Sequence, residues 1–302
     1  MSTSFGLIII GDEILSGKRA DKHLPKTIEL LQQRGLQLDY ADYVGDSPVR
    51  IEAALKRAFA SGDVVFSTGG IGATPDDHTR QCAARALGVE LALHPQAAEL
   101  IRERMRDTAR EQGVPYEPDR HDNQHRLNMG VFPAGAEIIP NPYNKIAGFT
   151  CWSTGERAGV QPERLAGPPQ AASAPSGGSD LHAMGERGGL HFVPGFPVMA
   201  WPMMEWVLDT HYAHLHQSKA WVEKSVVVFG AMEATLTPLM EQIERDYVGA
   251  KVFSLPSVDH PVHGRHIELG VKGDPGVIDK AYPALLLGLG KFKAELGPEL
   301  VR

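Results

Sequence analysis

The stretch Ser67-Thr-Gly-Gly-Ile-Gly-Ala-Thr-Pro-Asp-Asp-His-Thr-Arg80 holds three glycines and two adjacent aspartates. It follows Asp63-Val-Val-Phe66, which reads as a short buried strand, and precedes Gln81–Leu87, which reads as a helix. Glycine permits φ > 0 and lets a ligand come close to the main chain. Successive bare amides ahead of a helix start form an anion-binding nest. Gly69, Gly70 and Gly72 therefore read as a phosphate cradle, with Thr68, Thr74 and Thr79 as hydroxyl donors. No Gly-Lys-Ser/Thr follows, and the spacing is not that of the dinucleotide fingerprint. Carboxylates repel phosphate unless a divalent cation lies between them, so Asp76 and Asp77 admit two readings. One is metal ligation with phosphate; the other is an N-cap at Asp76 with Asp77 as a first-turn acid of the helix.

Working outward, Gly6–Ile10 is a continuous apolar run, as expected of a strand covered on both faces of a parallel sheet. Helical periodicity covers 24–34, a second strand 36–44, and Ser47-Pro48 opens a helix to about 60. A strand at 89–93 and a charged helix at 95–112 continue the alternation, which implies right-handed crossovers and a mostly parallel sheet with helices on both faces. Ligands of such sheets bind beyond the carboxyl ends of the strands. Gly11, Asp12 and Glu13 follow the first strand and Asp46 follows the second, so they join the candidate site, as phosphate contact and as metal-holding or water-orienting acids. Further strands are expected at 136–140, 148–150 and 190–193, and a helix at 197–216. Between them, about 153–189 is rich in Ala, Gly, Pro and Ser and is expected to be a disordered insertion. The tail reads strand 221–229, helix 232–246, strands 251–255 and 264–271, helix 275–290, a small α+β domain of ferredoxin-like type. The domain division is therefore 1–217 and 218–302.

The chain has 302 residues and a net charge of −7, which argues against nucleic acid as the main partner. Two cysteines, Cys82 and Cys151, make no disulfide framework and suit a reducing cytoplasm. The N-terminus lacks a basic leader, and no apolar run approaches the roughly 20 residues that span a bilayer. His211, His214 and His216, and His260, His263 and His266, form two sequence clusters; a helix end and a polar hairpin are the simpler readings of them than metal binding.

The motifs "GDEILSG", "VGD", "STGGIGATPDDHTR", "NPYNKIAGF" and "VPGFP", in this order, resemble the MoaB/Mog molybdopterin-binding superfamily. Within it they are most similar to the N-terminal domain of the competence/damage-inducible protein A (CinA) family. The resemblance covers about 4–152 and 190–216, and the tail resembles the small domain that follows in CinA-like proteins more weakly. It implies a three-layer α/β/α domain that often forms homo-oligomers, with a site for a phosphorylated pterin such as molybdopterin, or a nucleotide. In Mog-type enzymes the acids matching Asp46 and Asp77 take part in adenylylating molybdopterin with Mg²⁺. In CinA-type domains the region is associated with metal-dependent hydrolysis of ADP-ribose, and in a related FAD synthase domain with FAD hydrolysis. The expectation is thus a nucleotide pyrophosphatase using a divalent cation (Mg²⁺ or Co²⁺), with Asp46 and Asp77 catalytic and Asp12, Asp76 and Asp77 at the metal. The alternative is a non-catalytic molybdopterin-binding protein. Lys145, in the "NPYNKIAGF" loop, is a candidate phosphate contact, and Val198 stands where the family often has an acid. No length remains for the amidase domain of full-length CinA, so that activity is not expected.

Overall fold

The computed structural model describes residues 3–153, 188–216, 222–292 and 294–301. The expected insertion at about 153–189 lies, apart from its ends, outside the described residues. The chain divides into two compact units, Met1–His216 and Gln217–Arg302.

In the first unit, β1 (Phe5–Ile10) is buried at all six positions. Its side chains alternate between two cores, as the pleat requires. Ile8 and Ile10 pack with Ile51, Ala54 and Leu55 of α3 (Pro48–Ser61) and Cys82 and Ala83 of α4 (Thr79–Leu87). Phe5, Leu7 and Ile9 pack on the other face with Leu30 and Leu31 of α2 (His23–Gln32) and Met203, Met204 and Val207 of a C-terminal helix, 197–211. This is the three-layer arrangement. Parallel pairing joins β1 to β2 (Tyr40–Val44) and to β3 (Val64–Thr68), and β3 to β8 (Gly189–Val193). β7 (Gly148–Trp152) and β6 (Glu137–Ile139) complete the six-stranded order β2-β1-β3-β8-β7-β6 and run antiparallel to their neighbours.

The structure differs from the sequence reading at several points. Residues 36–39 are not strand: Asp39 folds back, its amide donating to the Phe5 carbonyl and its carboxylate accepting from the Phe5 amide. The 89–93 segment contributes β4 (Leu91–Leu93), which leaves the main sheet and pairs antiparallel with β5 (Val131–Pro133). All three β4 residues are exposed, so no second face holds it in the core. A short helix α1 (Asp12–Leu15) begins directly after β1, and α6 (His121–Leu127) forms in the polar 119–126 run, after α5 (Pro95–Glu111). Helix α4 starts at Thr79 with His78 in the N-cap position, so Asp76 is not its cap and Asp77 is not in its first turn. The helix at 197–211 is α7.

The second unit is β9 (Val222–Phe229), α8 (Glu233–Asp246), β10 (Lys251–His260), β11 (Gly264–Gly273), α9 (Pro275–Leu289) and β12 (Glu295–Val301). The sheet order is β10-β11-β9-β12, antiparallel throughout. With β12 added, the βαββα reading becomes the complete βαββαβ ferredoxin-like unit. Among the described residues no helix is long and apolar enough to cross a membrane.

Candidate functional site

Three strands, β1, β2 and β3, run parallel, so their carboxyl ends share one edge and their loops meet there. The first contact is a cross-lock between two acids. The Asp12 amide donates to Asp46 Oδ2 at 2.8 Å, and the Asp46 amide donates to Asp12 Oδ1 at 3.1 Å. The Gly11 amide ties the same junction to the Val44 carbonyl at 3.0 Å. Gly45, which the sequence reading passed over, is needed here: a side chain on it would drive into the Asp12 carboxylate. Burial, aided by the charges of Asp12, Glu13 and Asp76, pushes the Asp46 carboxyl above the usual carboxylate range, against the lowering effect of the Asp12 amide. Asp76 is thereby placed near this pair, joining the β3 loop to the β1 and β2 loops.

The β3–α4 loop itself is pinned by its glycines. Gly69, at φ 95°, donates to the Val193 carbonyl at 3.1 Å and lies under the Ile10 carbonyl, where a Cβ would collide with the main chain. Gly70, at φ 67°, carries a carbonyl that accepts from the Thr79 amide at 3.0 Å, and a Cβ there would strike the Thr79 hydroxyl. That hydroxyl donates to the Gly69 carbonyl at 3.1 Å. Thr79 therefore clamps the loop. Gly195 of the VPGFP segment closes the far side, its Cβ direction meeting the Gly69 Cα at 3.4 Å. With Gly69's donor taken by Val193, the amides of Gly70, Ile71, Gly72 and Ala73 remain without protein acceptors among the described residues. The buried Thr68 hydroxyl at the strand end is likewise unpaired.

Asp77 is placed beside this run of amides. Its Oδ2 accepts from the Thr74 amide at 2.8 Å and from the Thr74 hydroxyl, which closes the 74–77 turn over Gly72. Lys145 sits with φ 64°, and its ammonium pairs with Asp107 at 2.8 Å and Glu103 at 3.3 Å of α5, which raises its pKa. Asp12, Asp46, Asp76, Asp77, Thr68, Thr74, Thr79 and the glycines are thus brought to the β1–β3 edge, whereas the Lys145 ammonium is engaged by α5. Among the described residues, no group of three or more His, Cys, Asp or Glu side chains is arranged to hold a metal ion. Asp46 Oδ2 and Asp12 Oδ1 are each taken by the other residue's amide.

Arg80 was also missed from sequence as a site residue. It is 5% exposed, and its guanidinium donates to the carbonyls of Gly72 (2.5 Å), Asn128 and Val131. Burial holds its pKa down while the Asp77 charge opposes that shift. The signal available was position alone: an arginine in the first turn after an anion loop is unfavourable toward the helix dipole, and so needs a separate reason.

Residues 6–214 match the model of a family described as "Probable molybdopterin binding domain". A CinA-like protein of Anaeromyxobacter dehalogenans (strain 2CP-1) is 34% identical over 144 residues, 48% of this chain and 33% of that protein. A putative competence-damage inducible protein of Alkaliphilus metalliredigens is 31% identical over 54% of this chain and 36% of its own length. The chain therefore spans about a third of the length of these curated relatives. A protein of Pyrobaculum calidifontis is 27% identical over 88% of this chain and 87% of its own. Among solved structures, the CinA of Thermoplasma acidophilum, titled as of unknown function, covers 68% of this chain and 98% of that one, with 21% identity and a TM-score of 0.48.

Proposed function

The chain belongs to the family of probable molybdopterin-binding domains, and on that premise we propose that its β3–α4 loop holds a phosphorylated pterin of the molybdopterin class. The observation that carries this reading is the run of unpaired amides from Gly70 to Ala73, held open at the carboxyl edge of parallel strands. Consecutive free amides in a glycine loop are the donor set of an anion nest.

A second reading, hydrolysis of a nucleotide pyrophosphate such as ADP-ribose, is favoured by one feature: the Asp46 carboxyl, bonded to the Asp12 amide and raised by burial and by the charges of Asp12, Glu13 and Asp76. A divalent cation arriving with the ligand phosphates would relieve that crowding of negative charge. Asp12 and Asp46 would hold it, and bound there it would polarise a phosphoryl oxygen or activate water. Asp77 would keep the loop closed through Thr74 in either reading.

Isothermal titration with a molybdopterin precursor, FAD and ADP-ribose, with and without Mg²⁺ or Co²⁺, tests both, with products followed by chromatography. Pterin binding without turnover, weakened in Asp77→Asn, supports the first reading. Metal-dependent AMP release that is lost in Asp46→Asn shifts the assignment to the second. No binding of any of the three overturns both.

A further inference from the structure

Helix α6 carries His121 and His125, four residues apart, a spacing that places two side chains one above the other on a helix face. Their Nε2 atoms face each other at 3.2 Å, with ring centroids 4.3 Å apart and planes crossed at 71°. Both residues are exposed. The neighbouring acid, Asp122, is turned instead to Arg120 at 2.6 Å and Arg126 at 3.6 Å. Two imidazole nitrogens this close can share one proton, or both can turn their lone pairs on one cation. A tetrahedral zinc ion bound to two imidazoles at about 2.0–2.1 Å holds their nitrogens about 3.3–3.4 Å apart. The observed spacing matches that to about 0.2 Å, which is the tolerance of a real metal site. The rings of His260, His263 and His266 also cluster, but they offer a poorer ligand set. His260 Nδ1 accepts from the amides of Val262 at 3.3 Å and His263 at 3.1 Å, so the proton of that neutral ring sits on Nε2 and blocks it. In α6 neither Nδ1 has a partner among the described residues. Each ring can therefore keep its proton on Nδ1 and offer Nε2.

We propose that His121 and His125 form a two-imidazole site for a borderline divalent transition ion of the zinc type, with water completing the coordination. The site uses none of the acids at the β1–β3 edge and does not depend on the pterin reading of the glycine loop. Imidazole suits zinc, copper and nickel, whereas Mg²⁺ takes oxygen ligands, so the two kinds of ion sort to different residues. Ligation would also staple α6. A helix of 7 residues gains little from its own backbone, and a bridge across one turn holds that turn closed. The helix runs directly into Asn128, whose carbonyl receives Arg80.

The test uses the full chain, free of any histidine tag, and zinc chloride alone. Imidazole nitrogen resonances are followed by NMR, with those of His121 and His125 assigned by their absence in His121→Gln and His125→Gln. The expected result is that both Nε2 resonances move together and saturate at one zinc per chain, while the α6 amides exchange more slowly. In each variant the remaining ring should bind zinc at least about tenfold more weakly, because two-point attachment is lost. Gln124→Ala, on the same helix, should bind as the wild type does, and Mg²⁺ should move neither ring. A stationary pair, or a shift of one ring alone, overturns the site. Wild-type affinity in either histidine variant, or an equal response to Mg²⁺, overturns it too. Should a variant not fold, the paired shift in the wild type decides the matter.

Discussion

The two sheets of this chain handle their polar loops in opposite ways. In the first unit β1, β2 and β3 point the same way, so Asp12, Asp46 and the 69–77 loop converge on one edge. In the second unit every neighbour is antiparallel, so the carboxyl ends of adjacent strands alternate between two edges; β9 and β10 share one of them, where aromatic rings rather than acids meet, Phe229 against His263 and His266. Both units bury a full apolar core. Strand direction, more than composition, decides which of them can build a site from several loops.

The glycines offer the sharpest way to break this comparison. Gly69→Ala places a methyl group against the Ile10 carbonyl at a positive φ, and should cost at least about 3 kcal/mol in urea unfolding. Gly264→Ala in the β10–β11 turn, at φ 58° with open space around it, should cost only about 1–2 kcal/mol. Equal losses would mean that the loop edge is no tighter than an ordinary turn.

A smaller effect concerns acid. His191 of β8 is fully buried, bonded through Nδ1 to the Thr150 hydroxyl at 2.9 Å and through Nε2 to the Tyr212 hydroxyl at 2.8 Å. Burial pushes its pKa down to about 3 from an ordinary 6.5. The unfolded chain therefore takes up this proton first. The stability tied to the neutral ring is complete above pH 6.5 and is lost as the pH falls toward 3. Unfolding of the first unit followed between about pH 4 and 6 should show a slope of up to about 1.4 kcal/mol per pH unit from this group, reduced in His191→Gln. An unchanged slope in that variant would assign the acid sensitivity elsewhere.

The smallest effect sharpens the contrast between stability and binding. The Asp46 carboxyl has a raised pKa, so its ionised form costs stability once the pH rises above 3.8, and the cost is absent below it. Asn can still accept from the Asp12 amide. Asp46→Asn should thus melt at or above the wild-type temperature at pH 7, with the gap closing in acid, while phosphate-ligand affinity with Mg²⁺ falls. A lower melting temperature at pH 7 would show that the charged form is net stabilising.

Much of the first unit was legible because parallel strands covered on both faces read as unbroken apolar runs, as in Phe5–Ile10. The elements missed were those whose stabilisation lies outside their own pattern. β12 contains Gly297 and Pro298, which suppress a strand reading. It survives as an edge strand because its register with β9 shifts between Leu296 and Glu299, around that proline. Helix α6 is almost wholly polar, and is held by Asn123 donating to the Glu117 carbonyl at 2.7 Å. Its one local sign was charge order, with Asp122 in the first turn and His125 and Arg126 in the last. At the site, glycine and acid positions were readable one by one. What pairs with what was not: the Asp12–Asp46 lock joins residues 34 apart, and Arg80 finds Asn128 only through the fold.

The strands β7 and β8 pair antiparallel up to Trp152 and Gly189, and the Ser153 amide donates to the Gly188 carbonyl at 3.1 Å. The chain thus leaves the sheet and re-enters it at one spot, whatever occupies residues 154–187. Loop closure grows only by about 0.6 kcal/mol per doubling of length, so this is a splice point. The hairpin geometry on either side of it is fixed by the sheet itself.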